Sequence, residues 1–589
     1  MEERIRKAVG EALAQAGAPE VAFTVGRPSD PTHGDYATNA AMAAYGKFKG
    51  IMFDAINANP NDLGPRMLSK KQLNAARTSP ITDAKNWSNQ SELASVLAVK
   101  VRELLGDLVA DVAVAGKGFV NITLARETVA FAIAEADAKG EEWGRGTANE
   151  GQRVLIEYTD PNPFKEMHIG HLMSNVIGEA LARLIESEGA TVIRANYQGD
   201  VGPHVAKALW GLREAGITEP TTARDVGEAY TTGSRAYEES PEAEADIDAL
   251  NQAVYASADR TLMELWRKGR DVSLAEFERL YKILGTHFDY YFFESETAES
   301  GLRIIKDGVA QGIFEESEGA VIYRGEKREL HTLVFITSKG TPTYEAKEIG
   351  LAFLKEEKIQ SDRSIIVTAA EQVGHFKVVL AALDELAPLV AAKTTHVPHG
   401  FLRLTSGKMS SRAGNVITAA RLIEEVVTKA GEKNPDPLIA EQVALGAIKY
   451  MILRQAPGSD IVFDEEKSLS LEGDSGPYLQ YALVRARSIL SRTTNDQQPT
   501  RNAAPAEPAR LERIILHFPE VVARAARELA PNLLVNYLTE LAGEWNSFYA
   551  RERIIGGDHE AYKLLIARAF VNTMTNGLTV LGIPVPEKM

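Results

Sequence analysis

The sequence predicts an α/β protein of several domains. Its centre is a parallel-sheet domain with an inserted subdomain, flanked by a small α+β domain and an all-α bundle. Three observations indicate this class. The chain has 589 residues, too many for one hydrophobic core. From Val154 onward, apolar strands alternate with long helices, which is typical of parallel sheets. After about residue 435, nearly all segments have helical periodicity.

The composition excludes several classes of protein. There is no cysteine, so disulfides, thiolate zinc sites, iron–sulfur clusters and cysteine nucleophiles are ruled out. A net charge of −16 argues against indiscriminate binding to nucleic acid or anionic lipid, although a local basic face remains compatible with one folded RNA. No apolar run reaches the roughly 18 to 20 residues that cross a bilayer. The amphipathic first segment is unlike a secretory signal, so we expect a cytoplasmic protein without membrane contact.

Changes in composition and hydrophobic periodicity along the chain predict the domain boundaries. Residues 1–125 predict the α+β domain, with GFVNITL at 118–124 as a strand. Within it, the stretch at about 46–92 is rich in Asn, Lys, Ser and Pro and predicts a loop-like insertion. A functional and a merely structural interpretation of this stretch are equally open.

The parallel-sheet domain is predicted to be Rossmann-like and to span residues 126–435. The order VLIEY, HIGHLMSNVIGEALARLIESEG and TVIRANYQGD predicts strand, helix, strand. Charged helices and the aromatic run FDYYFF predict the inserted subdomain at about 213–335. Apolar segments typical of strands occur again at 330–425, in LHTLVFI and SIIVTAA. Residues 436–589 predict the helical bundle, which contains a polar linker at 492–509.

The first chemical motif is DPNPFKEMHIGH, Asp160–His171, between a predicted strand and a predicted helix. The helix after Gly170 directs free N–H groups at the preceding turn, which predicts an anion site. His168 and His171 are three residues apart and can face the same ligand. The pattern therefore favours a nucleotide triphosphate. A two-histidine metal site, a pair of surface histidines and a chance match are the alternatives, and the acidic residue of an HExxH zinc motif is missing.

The second motif is GKMSSRAGN, at 407–415, far downstream. It contains Lys408, Met409, Ser410 and Ser411. A lysine, hydroxyl groups and glycines predict a mobile basic loop that can stabilise charge on a transferring polyphosphate. Taken alone, the same residues are equally compatible with a solvated turn.

Together the two motifs resemble the HIGH and KMSKS signatures of class I aminoacyl-tRNA synthetases. IEYTDPNPFKEMHIGH and IRANYQGDVG resemble the arginyl-tRNA synthetase family. EGDSGPYLQYALVRARSIL at 472–490 resembles the start of its anticodon-binding domain, and HGDYATNAAM at 33–42 resembles its amino-terminal domain. The stretch 46–92 is the main exception. The resemblance implies an arginine–tRNA ligase that forms arginyl-adenylate from arginine and ATP and transfers it to tRNA(Arg). It also implies Mg²⁺ carried with ATP, and we expect a monomer.

The resemblance assigns the binding of arginine to Glu157, Asn162, Tyr344, Glu348 and Gln372. Arginine is a planar cation with five donors, so carboxylates that accept paired hydrogen bonds suit it. Glu348 departs from the family, which usually has aspartate at this position. Either the pocket is rearranged to keep the charge pair, or Glu348 has no direct part in binding.

The resemblance assigns catalysis to His168, His171, Lys165 and Lys408. It assigns ATP binding to His168, Gly170, His171, Lys408, Met409, Ser410 and Ser411. Ser411 stands where KMSKS has its second lysine, which removes a cation from the phosphate region. Many family members with this change carry a lysine just before HIGH, and Lys165 occupies that place here. A solvated surface lysine is the alternative.

The resemblance assigns contact with tRNA to Asn39, Tyr478 and Tyr481. Core packing is the competing interpretation for the two tyrosines, and a cap or turn for Asn39. Three rival functions are a small-molecule adenylyltransferase, an inactive RNA-binding relative and a ligase for another amino acid. The long helical tail argues against the first rival, and intact His168, His171 and Lys408 argue against the second. Glutamate at position 348, where the family usually has aspartate, leaves the third rival, a ligase for another amino acid, open.

Overall fold

The computed structural model describes residues 1–57, 87, 89–257, 259–404, 418–493 and 504–589. The chain divides into two compact units that do not follow chain order. The first comprises Met1–Gly140, Thr493–Glu520 and Phe548–Phe570, and the second comprises Glu141–Arg492, Val521–Ser547 and Val571–Met589. The domain boundaries at 125 and 435 therefore stay predictions. In the part of the chain described, no helix is both long enough and apolar enough to cross a membrane.

The first unit contains a four-stranded antiparallel sheet covered by helices. The strands lie in the order Val25–Gly26, Tyr36–Thr38, Phe119–Leu124 and Val109–Ala115. The predicted strand at 118–124 is therefore present. The helices of its amino-terminal portion are Glu2–Gln15, Ala40–Asn57, Gln90–Leu105 and Arg126–Lys139. The apolar face of the first helix is buried throughout, at Ile5, Ala8, Val9, Ala12 and Leu13.

The loop-like prediction for 46–92 is wrong where the structure describes this stretch at its two ends. Residues 46–57 continue the helix Ala40–Asn57, and the helix Gln90–Leu105 begins inside the stretch. Phe48 packs against the core of this unit and contacts buried Trp87 edge to face, with the ring centres 5.4 Å apart. Burial of these rings overrides the low helix propensity of the two nearby glycines. The residues between, 58–86 and 88, lie outside those described.

The second unit is built on a five-stranded parallel sheet. Its strands lie in the order Thr394–His399, Arg363–Ala369, Arg153–Glu157, Thr191–Gln198 and Tyr290–Phe293. The predicted strand, helix, strand succession is present, with the HIGH helix, Ile169–Ser187, between Arg153–Glu157 and Thr191–Gln198. The predicted strand in SIIVTAA is also in this sheet. The strands Arg153–Glu157 and Thr191–Gln198 are buried at every position except the first, because helices cover a parallel sheet on both faces.

Two strand assignments from the sequence differ from the structure. The aromatic run at 288–293 was placed in the inserted subdomain, but Tyr290–Phe293 is the edge strand of the parallel sheet. The strand in LHTLVFI, Leu333–Ile336, lies instead in a separate antiparallel sheet with Ala320–Tyr323 and Glu315–Ser317. Both runs are apolar and short. Periodicity alone does not say which sheet such a strand joins.

Helices complete the second unit. Three of them, Ala223–Glu239, Pro241–Ala256 and Arg260–Leu284, share an apolar core with the helix Pro203–Glu214. The helix Tyr344–Lys358 is named the cleft helix, because Tyr344, Glu345 and Glu348 line the cleft of the candidate active site. It places Leu351 in one apolar cluster with the sheet residues Leu155 and Ile193. Burying each such side chain contributes about 1.5–3 kcal/mol. The remaining helices up to residue 400 are Glu294–Ala310, Val373–Leu386 and Pro388–Lys393.

After residue 435 the described part of the chain is helical, as predicted, apart from one short strand. That strand, Ile461–Phe463, pairs in parallel with Leu402–Leu404. From residue 419 onward the helices are Ala419–Lys433, Pro437–Leu453, Glu465–Ser468, Gly476–Leu490, Arg510–Leu516, Phe518–Glu528, Pro531–Arg551 and Glu560–Val580. Most of the predicted polar linker, 494–503, lies outside the described residues.

Candidate active site

A cleft of about 390 Å³ lies at the carboxyl ends of the parallel strands. Ligands of open α/β sheets bind at this edge because the strand ends and the helix N-termini meet there. The cleft brings together eight residues that the sequence analysis singled out, from both the nucleotide motif and the arginine set: Glu157, Asn162, His168, Gly170, His171, Tyr344, Glu348 and Gln372.

The turn between the strand and the HIGH helix is strained and firmly held. Thr159, Asp160 and Phe164 have φ values of 80°, 47° and 70°, in the left-handed region that non-glycine residues avoid. The amide of Thr159 donates to Ser174 Oγ at 2.9 Å, and Asp160 Oδ1 accepts from the Tyr197 amide at 2.8 Å. Strain of this kind persists only where the surroundings enforce the conformation, and it is common at active sites.

Asn162 is positioned by this turn against the end of the neighbouring strand. A Cβ atom at Gly199 would lie 2.3 Å from Asn162 Oδ1 and 3.2 Å from Glu294 Oε1. Gly199 is therefore required for space, because any side chain there would displace the asparagine. The close approach fixes the Asn162 amide at the wall of the cleft.

The two imidazoles cap the HIGH helix. Their rings stack with centres 3.6 Å apart. His168 Nδ1 accepts from the Gly170 amide at 3.1 Å, and His171 Nδ1 accepts from the His168 amide at 3.3 Å. Because Nδ1 accepts in each ring, the neutral ring carries its proton on Nε2.

Both histidines are held in the neutral form. The partial burial of the His168 ring, followed by the charge of Lys165, lowers the pKa of His168 to about 4. Burial, followed by the charges of His168 and Lys165, lowers the pKa of His171 well below its ordinary value. Near neutral pH, the two rings therefore offer Nε2–H donors rather than fixed positive charges. Beside a helix N-terminus, such donors suit an anionic ligand.

The cleft is acidic, and three of the six carboxyls that line it form ion pairs within the protein. Lys355 Nζ lies 2.5 Å from Glu157 Oε2, and Lys347 Nζ lies 2.5 Å from Glu294 Oε2. Glu345 contacts His375 Nδ1 at 3.3 Å. These three acids are therefore neutralised at least in part.

Glu348 differs from them, since it forms no ion pair with any lysine or arginine that the structure describes. Burial, followed by the charge of Glu157, raises its pKa from 4.5 to about 7. Like Asp160, whose pKa is also raised by burial and by the charge of Glu157, Glu348 is thus a cleft carboxyl without an ion-pair partner among the described residues.

Lys165 does not line the cleft. Its Nζ lies 4.8 Å from the centre of the Tyr230 ring, a cation–π contact. Its charge nevertheless acts on both histidines. Lys408, Met409, Ser410 and Ser411 lie outside the described residues. The chain that follows them returns beside the first motif, because Thr418 forms a β-bridge with His168 and the Ala419 amide donates to the Met167 carbonyl at 2.7 Å.

Comparison with known proteins agrees with this geometry. Residues 133–465 match the family model described as class I tRNA synthetases (R), catalytic domain. Residues 3–124 match the arginyl tRNA synthetase N terminal domain, and residues 479–589 match the DALR anticodon binding domain. The chain belongs to the arginyl-tRNA synthetase family. The predicted family, fold class and ligase activity are thereby confirmed, and the protein is an ATP-dependent enzyme of class I.

Relatives in this family are similar along most of their length. An arginine–tRNA ligase of Treponema pallidum is 32% identical over 502 residues, which cover 80% of this chain and 85% of that ligase. An arginine–tRNA ligase of Borreliella afzelii is 30% identical over 503 residues, which cover 80% of this chain and 86% of that ligase. Two solved structures share the fold. Arginyl-tRNA synthetase from Thermus thermophilus has a TM-score of 0.76 at 24% identity, covering 100% of both chains. Arginyl-tRNA synthetase from Plasmodium falciparum has a TM-score of 0.78 at 19% identity, covering 100% of this chain and 99% of that one.

The residues expected to contact tRNA in an arginyl-tRNA synthetase lie outside the cleft. Asn39 is half-buried and its Oδ1 accepts from the Thr24 amide at 2.8 Å, so the turn interpretation has structural support. Tyr478 is half-buried, and its hydroxyl accepts from Asn546 Nδ2 at 3.1 Å. Tyr481 is exposed. Their roles toward tRNA stay predictions.

Several residues that line this synthetase cleft or lie behind it were missed in the sequence. Glu294 follows the edge strand that was assigned to the insertion, so its place in the sheet was not visible. Lys355 stands seven residues after Glu348 on one helix, and this spacing signals that the two share a face. His375 and His399 also line the cleft, and no local pattern identifies them.

Proposed function

We propose that the cleft activates arginine with ATP, and that the resulting arginyl-adenylate is transferred to the terminal ribose of tRNA(Arg). One juxtaposition carries this proposal. Glu348, a half-buried carboxyl without an ion-pair partner among the described residues, lies in the same cleft as two neutral imidazoles at a helix N-terminus. A guanidinium and a polyphosphate are the two ligands that these ends of the cleft suit.

The acidic end binds arginine in this proposal. Glu348 accepts hydrogen bonds from the guanidinium, which keeps its charge at any working pH. Glu157, Asn162, Tyr344 and Gln372 line the remainder of the slot. The extra methylene of Glu348, relative to the aspartate usual in the family, is accommodated because its side chain borders both the cleft and a smaller cavity behind it.

The other end binds ATP. His168 and His171 donate from Nε2 toward the phosphates, at the positive end of the dipole of the HIGH helix. Lys165 and Lys408 supply cationic groups, Ser410 and Ser411 supply hydroxyl groups, and Met409 belongs to the same motif. Mg²⁺ arrives bound to the phosphates, as is usual in phosphoryl chemistry.

Catalysis rests on positioning and charge stabilisation. An oxygen of the arginine carboxylate attacks the α-phosphorus, and the bond to the bridging oxygen breaks to release pyrophosphate. A ribose hydroxyl of tRNA then attacks the activated carbonyl, and AMP leaves. No side chain forms a covalent bond, so the enzyme lowers the barrier by in-line placement and by donors aimed at the developing charge.

Recognition of tRNA is proposed to involve Asn39, Tyr478 and Tyr481. Unpaired bases stack on aromatic rings, and the exposed ring of Tyr481 is available for this. A monomeric state and a cytoplasmic location are also part of the proposal, on the sequence alone.

Pyrophosphate exchange tests the function directly. We expect the protein to exchange labelled pyrophosphate into ATP when arginine and tRNA(Arg) are both present. Citrulline, which has the shape of arginine but no charge, should not replace it, because burying Glu348 against a neutral group leaves the carboxylate unpaired. Exchange supported equally by lysine or glutamate would contradict the specificity, and no exchange with any amino acid would contradict the activity.

The pH dependence tests the role of Glu348. Since its pKa is about 7, the ionised form that attracts the guanidinium grows from a minority at pH 6 to a majority at pH 8. The KM for arginine should therefore fall by about tenfold over that range, with the KM for ATP nearly constant. Between pH 4.5 and 7 the folded protein holds a proton that the unfolded chain has lost, so this group lowers the free energy of unfolding as pH rises. An arginine KM that does not vary with pH would remove Glu348 from binding.

A further inference from the structure

A buried ammonium lies behind the acidic slot and does not reach the cleft. Lys355, in the last turn of the cleft helix, is only 6% exposed. It borders a cavity of about 20 Å³ that Glu348 also lines, but it is not among the residues that line the substrate cleft. We therefore expect any effect of Lys355 on the substrate to act through another residue.

Lys355 acts on Glu157. The 2.5 Å contact between Nζ and Oε2 lies outside hydrogen-bonding angles and is therefore mainly electrostatic. Glu157 is itself only 2% exposed. A buried charge is costly unless an opposite charge compensates it, so each member of this pair requires the other.

The helix geometry places this pair beside Glu348. Residues seven apart lie on the same face of a helix, so Glu348 and Lys355 project in the same direction. Leu351 lies between them on this face and packs against the sheet residue Leu155. Glu157 and Glu348 both line the cleft, and of these two only Glu157 forms an ion pair with a lysine.

We propose that Lys355 is a positioning residue of the arginine slot: it holds and neutralises Glu157, and so directs the guanidinium to Glu348. This inference rests on the proposed binding of arginine and adds a reason for its orientation. With two charged carboxylates side by side, a guanidinium could pair with either one. Its carboxylate would then lie at a variable distance from the α-phosphorus, which lowers the rate of attack.

The pH response of the slot reports on the pair. Glu157 raises and Lys355 lowers the pKa of Glu348. Removing one member or the other should therefore shift the titration of Glu348 in opposite directions. The other titratable groups that act on or respond to Glu348 stay in place in every variant: Asp160, Tyr197, Glu294, Tyr344 and His375.

Three variants of the full-length enzyme test the proposal: Lys355→Met, Glu157→Gln and the double variant. Charging of a tRNA(Arg) that the wild type accepts is measured from pH 6 to 9 at varied arginine and ATP. We expect Lys355→Met to raise the arginine KM about tenfold and to move the midpoint of its pH dependence up by about one unit. Glu157→Gln should also raise the arginine KM but move the midpoint down. The ATP KM should change little in either variant.

The double variant is the decisive one. Replacing both members of a buried pair by neutral residues of similar size often leaves a protein stable. We expect the midpoint of its pH dependence to return close to the wild-type value, because the opposite effects of Glu157 and Lys355 on Glu348 are then both removed. Single variants that fold and keep the wild-type KM and midpoint overturn the proposal, as does a double variant no better than the singles.

The remaining outcomes are also informative. If Lys355→Met does not fold, Glu157→Gln and the double variant still give the downward shift and its reversal. A double variant that does not fold shows that the pair maintains the fold rather than the slot, and overturns the proposal. If the wild type charges no arginine at any pH, the proposed function itself fails before any variant is compared.

Discussion

We expect replacement of His171 by alanine to lower kcat for aminoacylation by on the order of 10²- to 10³-fold, the loss typical of removing one donor aimed at developing charge. The ring is neutral, since its pKa lies well below the ordinary value, and it offers Nε2–H while Nδ1 accepts from the His168 amide. The substitution therefore removes a donor and leaves the charge of the cleft unchanged. The affinity for arginine should change much less than kcat.

The fold should survive this change. His171 supplies one bond at the helix N-terminus, and losing such a cap costs about 1 kcal/mol. Thermal unfolding of the variant should remain a single transition close to that of the wild type. His331→Ala is the matched control, because this histidine is exposed near the antiparallel sheet and remote in sequence from both motifs. A wild-type kcat in His171→Ala would remove the residue from the catalytic set.

The second large effect is expected for Glu348→Gln, which should raise the KM for arginine by on the order of 10²-fold or more. Truncating one partner of a buried charge pair costs about 2–5 kcal/mol, because the remaining charge is left without a partner. Glutamine keeps the size of the side chain and removes only its charge. The KM for ATP should stay near its wild-type value, and the arginine KM should no longer depend on pH between 6 and 8.

Two further variants sharpen this test. Glu357→Gln makes the same substitution on an exposed position of the cleft helix and should leave the arginine KM unchanged. Glu348→Asp restores the residue usual in the family and keeps the charge, so it should retain far more activity than glutamine. If glutamine and aspartate have equal effects, the length of the side chain rather than its charge governs binding.

The part of the fold that carries the site was predictable from the sequence. The unit from Arg153 to Gln198 is local: one strand, one turn and one helix follow each other with clear periods, and the parallel pairing follows from the crossover rule. The aromatic strand Tyr290–Phe293 was misplaced because it joins its sheet only after four intervening helices. The helical residues 46–57 were missed because their aromatic contacts, rather than their propensities, stabilise the helix.

The candidate site divides in the same way. The resemblance identified eight residues that the structure brings into one cleft, from segments as far apart as Glu157 and Gln372. It did not reveal the ion pairs of Glu157 and Glu294, since their lysines lie on a helix distant in sequence. The resemblance did not show whether Glu348 binds arginine. The answer depends on which carboxyls of the cleft are already neutralised by a lysine of the protein.

The sequence by itself determined the chemistry available to this protein: a phosphate-binding helix start, carboxyls suited to a guanidinium and a basic loop, all without cysteine. Residue type and short-range order suffice for that, because they set charge, donors and helix boundaries. Only the tertiary structure decided the charge state of each group. Burial and the nearest opposite charge control that state, and both depend on which distant segments come together.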